Sequence, residues 1–461
     1  MSLIKSISGI RGTIGGKPGE GLSPVDVVKY TAAYAEWVLR GVNKREALVV
    51  TGRDARPSGE MINKIIAATL TAMGIDVLDL GLATTPTVEI AVVSEMAAGG
   101  IILTASHNPV QWNALKLLNR KGEFVTAADG AEILDIAEKM DYSFAGYEKI
   151  GRLEYRSDYN KHHIEMLLAL PDIAIGKIKK REFTIVIDCV NSVGGLILPG
   201  LLRSLGVKNI IEIFTEPTGM FPHNPEPLPE NLGELRRAVL DNRADLGFVV
   251  DPDVDRLAIV SDDGTCFNEE YTLVACADYV LSKRKGNTVS NMSSSRALRD
   301  ITEIHGGKWF ASAVGEVNVI AKMKEVEAVI GGEGNGGVIY PPLHYGRDAL
   351  AGIALFLSLL AERGLSCSQL RATYPEYVIS KNRIDLPDSS HADEIIRKIN
   401  EELEHRVVST EDGLLLEDET GWVNIRKSNT EPILRIYSEA KSRQDADRLA
   451  EEILKFVKKT I

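Results

Sequence analysis

Cysteine is scarce in this chain. It has four (Cys189, Cys266, Cys276 and Cys367) among 461 residues, widely spaced and without a CxxC pair. A disulfide framework and a structural zinc site are therefore not expected. Long apolar runs are also missing. The longest, Ala349 to Ala361, is interrupted by Ser358, and it is well short of the roughly 20 residues that cross a bilayer, so it reads as a buried helix. No tract is rich in lysine and arginine: 65 acidic residues outnumber 53 basic ones and the net charge is −12. Nucleic acid and anionic membranes are therefore not expected partners, and an anionic substrate must be gripped by positive groups clustered against the global field. Met1 to Ile10 shows no basic region followed by an apolar stretch, so no secretory signal is expected and the protein reads as cytoplasmic. There is no G-x-x-x-x-G-K-[ST] loop, which speaks against ATP as a phosphoryl donor.

What is present is ordinary globular material, 44% apolar and 26% charged. The length predicts two to four domains at roughly 100–200 residues each. Strands and amphipathic helices alternate. Ala47–Val50, Ile75–Leu80 and Gly100–Leu103 read as strands. Between them lie a helix presenting Met61, Ile65, Ala68 and Ala72 and another opening at Thr85-Pro86, and the round ends in Thr104-Ala-Ser-His-Asn-Pro109. A second round (strands 183–187, 210–214, 246–250; helices 194–205, 232–240) ends in Asp251-Pro-Asp-Val-Asp-Arg256. A third (strands 288–291, 308–311, 327–330; helices after Ser293 and over 316–324) ends in Gly331-Gly-Glu-Gly-Asn-Gly-Gly337. Three rounds thus end in polar loops at the carboxyl ends of strands, where α/β sheets bind ligands. The tail, with helices over 392–403 and 443–457 and strands over 422–425 and 434–437, reads as a smaller α+β domain. The predicted domains are residues 1–151, 152–256, 257–370 and 371–461.

Each loop has a chemical reading and a plain one. Ser106, flanked by His107 and Asn108, is a nucleophile if a base or metal activates it, or else a helix N-cap. Asp251, Asp253 and Asp255 repel one another unless a cation neutralises them, and oxygen-only ligands suit Mg²⁺ or Ca²⁺; the alternative is a solvated acidic turn. An EF-hand fails, because its glycine and glutamate positions hold Arg256 and Asp262. Glu333 among glycines suits hydroxyl groups, or is a plain turn. Arg426, Ser428, Asn429, Thr430 and Arg435 offer hydroxyls, amides and guanidinium groups to a phosphate, or form a polar hairpin. Together these residue types point to phosphoryl transfer on a phosphorylated sugar.

At these loops, and at Ser8-Gly-Ile-Arg-Gly12, the chain resembles the α-D-phosphohexomutase family of phosphoglucomutases, phosphomannomutases and phosphoglucosamine mutases. Five motifs occur in the family's order from Ile10 to the C-terminal region. The resemblance implies three related α/β domains with mixed sheets between helices, plus a smaller C-terminal α+β domain, around a central cleft. It implies that Ser106 carries a phosphoryl group, with Arg11 contacting it and His107 beside it. Asp251, Asp253, Asp255 and a phosphoserine oxygen on Ser106 would hold one Mg²⁺, and Lys116 would be the acid/base candidate, fit to act as a base if neighbouring positive charge lowers its pKa. Glu333 and Asn335 would bind the sugar, and Arg426, Ser428, Asn429, Thr430 and Arg435 the non-reacting phosphate. The implied reaction interconverts hexose 1- and 6-phosphates through a hexose 1,6-bisphosphate, in a monomer or homodimer, on glucosamine, glucose or mannose phosphate. The chain departs from the family's usual pattern at Ala114, where a glycine is common, and at Asn335, where a serine is common; Asn335 looks more like the archaeal-type phosphoglucosamine mutase branch. Rival readings are an Mg²⁺-dependent sugar phosphatase with Asp251 as nucleophile and a non-catalytic sugar-phosphate sensor.

Overall fold

The computed structural model describes residues 2–6, 9–42, 47–386, 390–427 and 433–460. Two compact units emerge, residues 1–272 with 336–370, and residues 273–335 with 371–461.

The first unit opens with a seven-stranded mixed sheet in the order Leu3–Ser6, Gly9–Thr13, Trp112–Leu118, Gly99–Leu103, Leu48–Arg53, Asp76–Leu82, Leu153–Tyr155. The strands from Gly99–Leu103 to Leu153–Tyr155 run parallel, and Trp112–Leu118 turns back antiparallel. Helices start where the sequence supplies caps. Ser23 forms a capping box with Asp26 ahead of Pro24–Gly41, and the Thr84 side chain caps Thr85–Ser94. The helix Gly59–Ala72 is present, but its buried stripe is Ile62, Ile66 and Leu70, continued by Met73, one residue out of phase with the expected one. Met61 and Ala68 face solvent. Both stripes are apolar at helical spacing, and the neighbouring helix Pro24–Gly41 and the sheet decide which one is covered.

A second sheet follows in the order Leu257–Ser261, Leu246–Val250, Thr184–Asp188, Asn209–Ile213. Its Leu246–Val250 strand is parallel to Thr184–Asp188 and antiparallel to Leu257–Ser261. The interrupted apolar run forms the helix Ala349–Arg363, N-capped by Asp348 and buried from Ala349 to Leu360. Phe356 there meets Phe248 and Phe267 edge-on. Among the described residues no helix is long and apolar enough to cross a membrane.

In the second unit Asn287–Asn291 lies between Trp309–Ser312 and Ala328–Glu333, parallel to both. The C-terminal antiparallel sheet has the order Val378–Asp385, Ile433–Ala440, Gly421–Lys427, Leu414–Glu417, Val407–Ser409. Its apolar face is covered by the helices Ser390–Glu402 and Arg443–Thr460. Polar bonds tie this sheet to the rest of the unit: Ser293 Oγ donates to Asn424 Oδ1 (2.8 Å), Arg296 and Arg299 pair with Glu417, and Glu439 accepts from the Arg296 amide.

Candidate active site

Two hairpins bring Ser106 to the aspartates. Gly99–Leu103, buried throughout, ends at Thr104, and the chain returns as Trp112–Leu118. No helix follows Ser106, so the capping alternative does not apply. The second hairpin joins Leu246–Val250 to Leu257–Ser261 and places Asp251, Asp253 and Asp255 in its turn, each side chain fully buried. Ser106 Oγ donates to Asp251 Oδ2 across 2.7 Å. Both turns are strained, with φ of +47° at Ser106 and +64° at Val254. A residue other than glycine in that region costs about 1–2 kcal/mol, and a β-branched one such as Val254 is a clear outlier. Such conformations persist where the surroundings over-determine them.

The three carboxylates offer one oxygen each within 4.8 Å of one another. Asp251 Oδ1 accepts the backbone amides of Asp255 and Arg256 (3.2 Å each) while its Oδ2 takes Ser106, so three of the roughly four lone-pair sites of the carboxylate are occupied. Asp253 Oδ2 receives Thr85 Oγ1 (2.6 Å) and Lys116 Nζ (2.8 Å), and Asp255 Oδ2 receives Arg347 (2.6 Å). The other oxygens, Asp253 Oδ1 and Asp255 Oδ1, are buried without a hydrogen-bond partner among the described residues. Buried carboxylate oxygens left bare beside others are what a hard divalent cation fills, so the residues fit Mg²⁺.

Burial, with Asp255 and Asp253 adding repulsion, pushes the Asp251 carboxyl well above its ordinary range. Burial works in the same direction on Asp255, but Arg347, Lys116 and Arg256 outweigh it and hold that carboxyl low. Lys116 corrects an expectation. Burial pulls its ammonium down, yet Asp253 and Asp255 (2.8 and 3.6 Å) raise its pKa overall, so it is an ammonium here rather than a lysine discharged by positive neighbours. Ala114, two residues before it, pairs in regular register with Arg11 and needs no glycine freedom. His107 is pushed down to about 2 by burial, then by Arg256, and stands neutral with Nδ1 3.4 Å from Ser106 Oγ. Arg11 is half-buried, lowered by burial and by Arg256, and reaches Asn108 Oδ1 at 3.5 Å. Arg11, Arg256 and Arg347 all act on His107, with Asp255 opposing them, so three guanidinium groups gather near the aspartates beside Ser106.

The remaining site residues lie in the second unit. Glu333 is the last residue of Ala328–Glu333, a strand that runs on through Gly331 and Gly332 rather than ending before them. Its Oε1 accepts Asn291 Nδ2 (2.7 Å) and the Gly315 amide (3.1 Å), and Asn335 Nδ2 reaches its Oε2 at 3.5 Å. Of the glycines here, Gly336 (φ +88°) uses its freedom to pass the chain's own Leu257 backbone. Gly332, Gly334 and Gly337 do meet G-x-G-x-x-G spacing, but the motif ends in a strand instead of opening a helix, so it is no dinucleotide fingerprint. Arg426 belongs to the strand Gly421–Lys427 and lies directly opposite Arg435 on the next strand, which in turn lies opposite Arg383. Like charges facing each other across strands are unfavourable unless an anion joins them. Burial, together with Arg435, lowers the Arg426 guanidinium, although Asp412 and Glu333 pull the other way, and its Nε is buried without a hydrogen-bond partner among the described residues. Ser428, Asn429 and Thr430 lie outside the described residues.

Sequence reasoning missed Arg256, Arg347, Arg383 and Asn291 as members of these clusters. Arg256 stood inside the aspartate motif, and Arg347 stood beside the Asp348 cap of an apolar helix, both visible signals. Arg383 becomes legible only once Val378–Asp385 is known to be a strand.

A hydroxyl held on buried carboxylates that fit a divalent cation, with guanidinium groups around it, is an arrangement suited to binding and handling a phosphoryl group. Family models of phosphoglucomutase/phosphomannomutase match along the chain: alpha/beta/alpha domain I over residues 3–143, domain II over 161–264, domain III over 268–377 and the C-terminal domain over 383–456. The chain is 34% identical to a phosphoglucomutase/phosphomannomutase of Thermococcus kodakarensis, over 98% of each chain. It is 31% identical to a probable phosphoglucosamine mutase of Methanopyrus kandleri, over 98% of this chain and 97% of the other. Among solved structures it resembles a phosphoglucomutase/phosphomannomutase family protein from Burkholderia thailandensis, with a TM-score of 0.84, 26% identity and coverage of 99% and 97%. The chain belongs to the phosphoglucomutase/phosphomannomutase family, and its activity is of the isomerase type.

Proposed function

We propose that the protein interconverts hexose 1-phosphate and hexose 6-phosphate through a phosphoserine at Ser106 and a hexose 1,6-bisphosphate. The observation that carries this is the Ser106 hydroxyl 2.7 Å from Asp251, in a cluster of carboxylates with bare buried oxygens. In the first step the free hydroxyl oxygen of the sugar phosphate attacks phosphorus, the P–Oγ bond of Ser106 breaks, and a bisphosphate results. In the second step Ser106 Oγ attacks the other phosphoryl group, whose bond to the sugar oxygen breaks. The proton lost by each attacking hydroxyl is returned to the oxygen that leaves, so the net change is an isomerisation.

Asp251, Asp253 and Asp255 would hold Mg²⁺, which when bound supplies positive charge against the developing serine alkoxide. Arg11, Arg256 and Arg347 add fixed positive charge around the phosphoryl group, the electrostatic term on which such transfers depend. Lys116, an ammonium here, is the candidate acid/base. Neutral His107 is a hydrogen-bond partner for Oγ. Glu333 and Asn335 would take sugar hydroxyls, and Arg426, Arg435 and the Ser428–Thr430 segment the phosphate that does not react. Domain boundaries near residues 151 and 370 would suit this division of labour, whereas one near 256 would cut the hairpin that joins Leu246–Val250 to Leu257–Ser261. The relatives' names support glucosamine, glucose and mannose phosphates as the substrates to test. Turnover on the three 1-phosphates decides. Conversion of at least one to its 6-phosphate supports the reading, and release of inorganic phosphate without isomerisation contradicts it.

A further inference from the structure

Arg56 carries the most complete set of bonds in the first unit's loops. Its side chain is fully buried. Nε donates to Asp54 Oδ2 at 3.0 Å. Nη1 donates to the carbonyls of Pro109 (2.6 Å) and Trp112 (3.1 Å), and Nη2 to those of Ser106 (2.6 Å) and Asn108 (2.6 Å). A guanidinium has five N–H groups, and here each has an acceptor. Three of the five acceptors are backbone carbonyls of the turn that carries Ser106, and a fourth is that of Trp112, where the returning strand begins. The Phe221 ring lies 5.0 Å from the guanidinium carbon and closes it off. Asp54 ties the same turn from its other side: its Oδ2 accepts Thr104 Oγ1 (2.7 Å), and Thr104 Oγ1 accepts the Ser106 amide (2.9 Å).

Ser106 itself sits at φ +47°, a conformation that serine does not hold unaided. Its position relative to Asp251 is therefore set by what grips the turn. We infer that Arg56 is a positioning residue: by binding the Ser106, Asn108, Pro109 and Trp112 carbonyls at once, it holds the Ser106 turn in the conformation that aims Oγ at the aspartates. It touches neither Oγ nor a carboxylate of the triad in this structure; it acts through the turn. Lysine cannot replace it, because a single ammonium lacks the planar fork and two of the five donors.

The chemical consequence rests on the phosphoserine reading, but the positional one does not, and two measurements separate them. The first is backbone hydrogen exchange in the parent and in Arg56→Lys. Amides in 105–113 should exchange at least about tenfold faster in the variant, while those of Leu48–Arg53 and Gly59–Ala72 keep their protection. The second is turnover of a hexose 1-phosphate, with Ser106 phosphoryl content read by intact mass after incubation with glucose 1,6-bisphosphate. A displacement of about 1 Å at a reacting atom lowers rate roughly 10²-fold. So kcat of Arg56→Lys should fall about 100-fold with KM changed less than twofold, and Arg56→Ala should regain part of its rate when guanidinium ion is added. Parent kcat in Arg56→Lys, unchanged exchange in 105–113, or loss of protection across the whole sheet would overturn the inference; so would failure of both variants to fold, since the role would then be general. A parent that takes up no phosphoryl group while its turn is released in Arg56→Lys contradicts the phosphoserine reading and leaves the positional one supported.

Discussion

Ser106 Oγ and Asp251 Oδ2 are 2.7 Å apart although 145 positions separate them in sequence. Each stands where a buried parallel strand ends and a hairpin turns back, so two sheets built on the same plan deliver a hydroxyl and a carboxylate to one point. Asp251→Asn keeps the shape and removes one charge of three. We expect the variant to fold with a Tm no lower than the parent's, because repulsion from Asp253 and Asp255 is relieved, and to lose at least about 10²-fold in turnover. Thermal melts and initial rates check both halves.

The bare oxygens Asp253 Oδ1 and Asp255 Oδ1 lead to a metal prediction. EDTA should abolish turnover and Mg²⁺ restore it. Mg²⁺ at a hundred times its dissociation constant should also stabilise the fold by about 2.7 kcal/mol. Asp253→Asn should remove most of the thermal shift. A melt that ignores Mg²⁺, with full activity in stripped protein, contradicts the cation site.

Arg426 and Arg435 lie directly opposite each other on adjacent antiparallel strands. If a substrate phosphate joins them, Arg435→Ala forfeits charge-assisted bonds worth about 1.5–3 kcal/mol, roughly 10- to 150-fold in KM for both the 1- and the 6-phosphate. Phosphoryl content at Ser106 should stay at the parent level. Stability should hold or rise, since a like-charge pair is removed. Unchanged KM for both isomers would make this row a structural feature only.

Glu439 gives a pH prediction. Burial pushes its carboxyl up to about 7, although the Arg296 amide and Trp422 Nε1 donate to it. Unfolded, it titrates near 4.3. Between those values the folded protein holds a proton that the unfolded chain has lost, so stability from this group is full below about 4.3 and declines as pH rises towards 7. The loss is of the order of 4 kcal/mol at most. Glu439→Gln should flatten that decline and melt higher than the parent at pH 8, as thermal melts from pH 4 to 8 will show. A parent and variant with parallel profiles would contradict it.

Much of this architecture was legible in the sequence because strand ends and loops are marked by composition. The helix 194–205 and the strand 246–250 were placed to the residue, and the odd loops fell at strand ends as read. The returning strands were not. Trp112–Leu118 has no clean alternation because most of its residues are buried, so no strand was read there and Lys116 had no element to sit on. The neighbours of Lys116 raise its pKa, because Asp253 and Asp255, 137 and 139 positions away in sequence, lie 2.8 and 3.6 Å from its ammonium. Arg56 was legible only as part of a polar loop; its carbonyl partners are 50 to 56 positions away.

The most direct test is the phosphorylation state of Ser106 during turnover. Protein incubated with ³²P-labelled glucose 1,6-bisphosphate should gain one phosphoryl group, map it by peptide mass to Ser106, and pass the label to unlabelled hexose phosphate at a rate matching kcat. Ser106→Ala should fold as the parent does, take up no label and lose several orders of magnitude in turnover. Label on Asp251 or on no residue, or near-parent turnover in pure Ser106→Ala, would contradict the account.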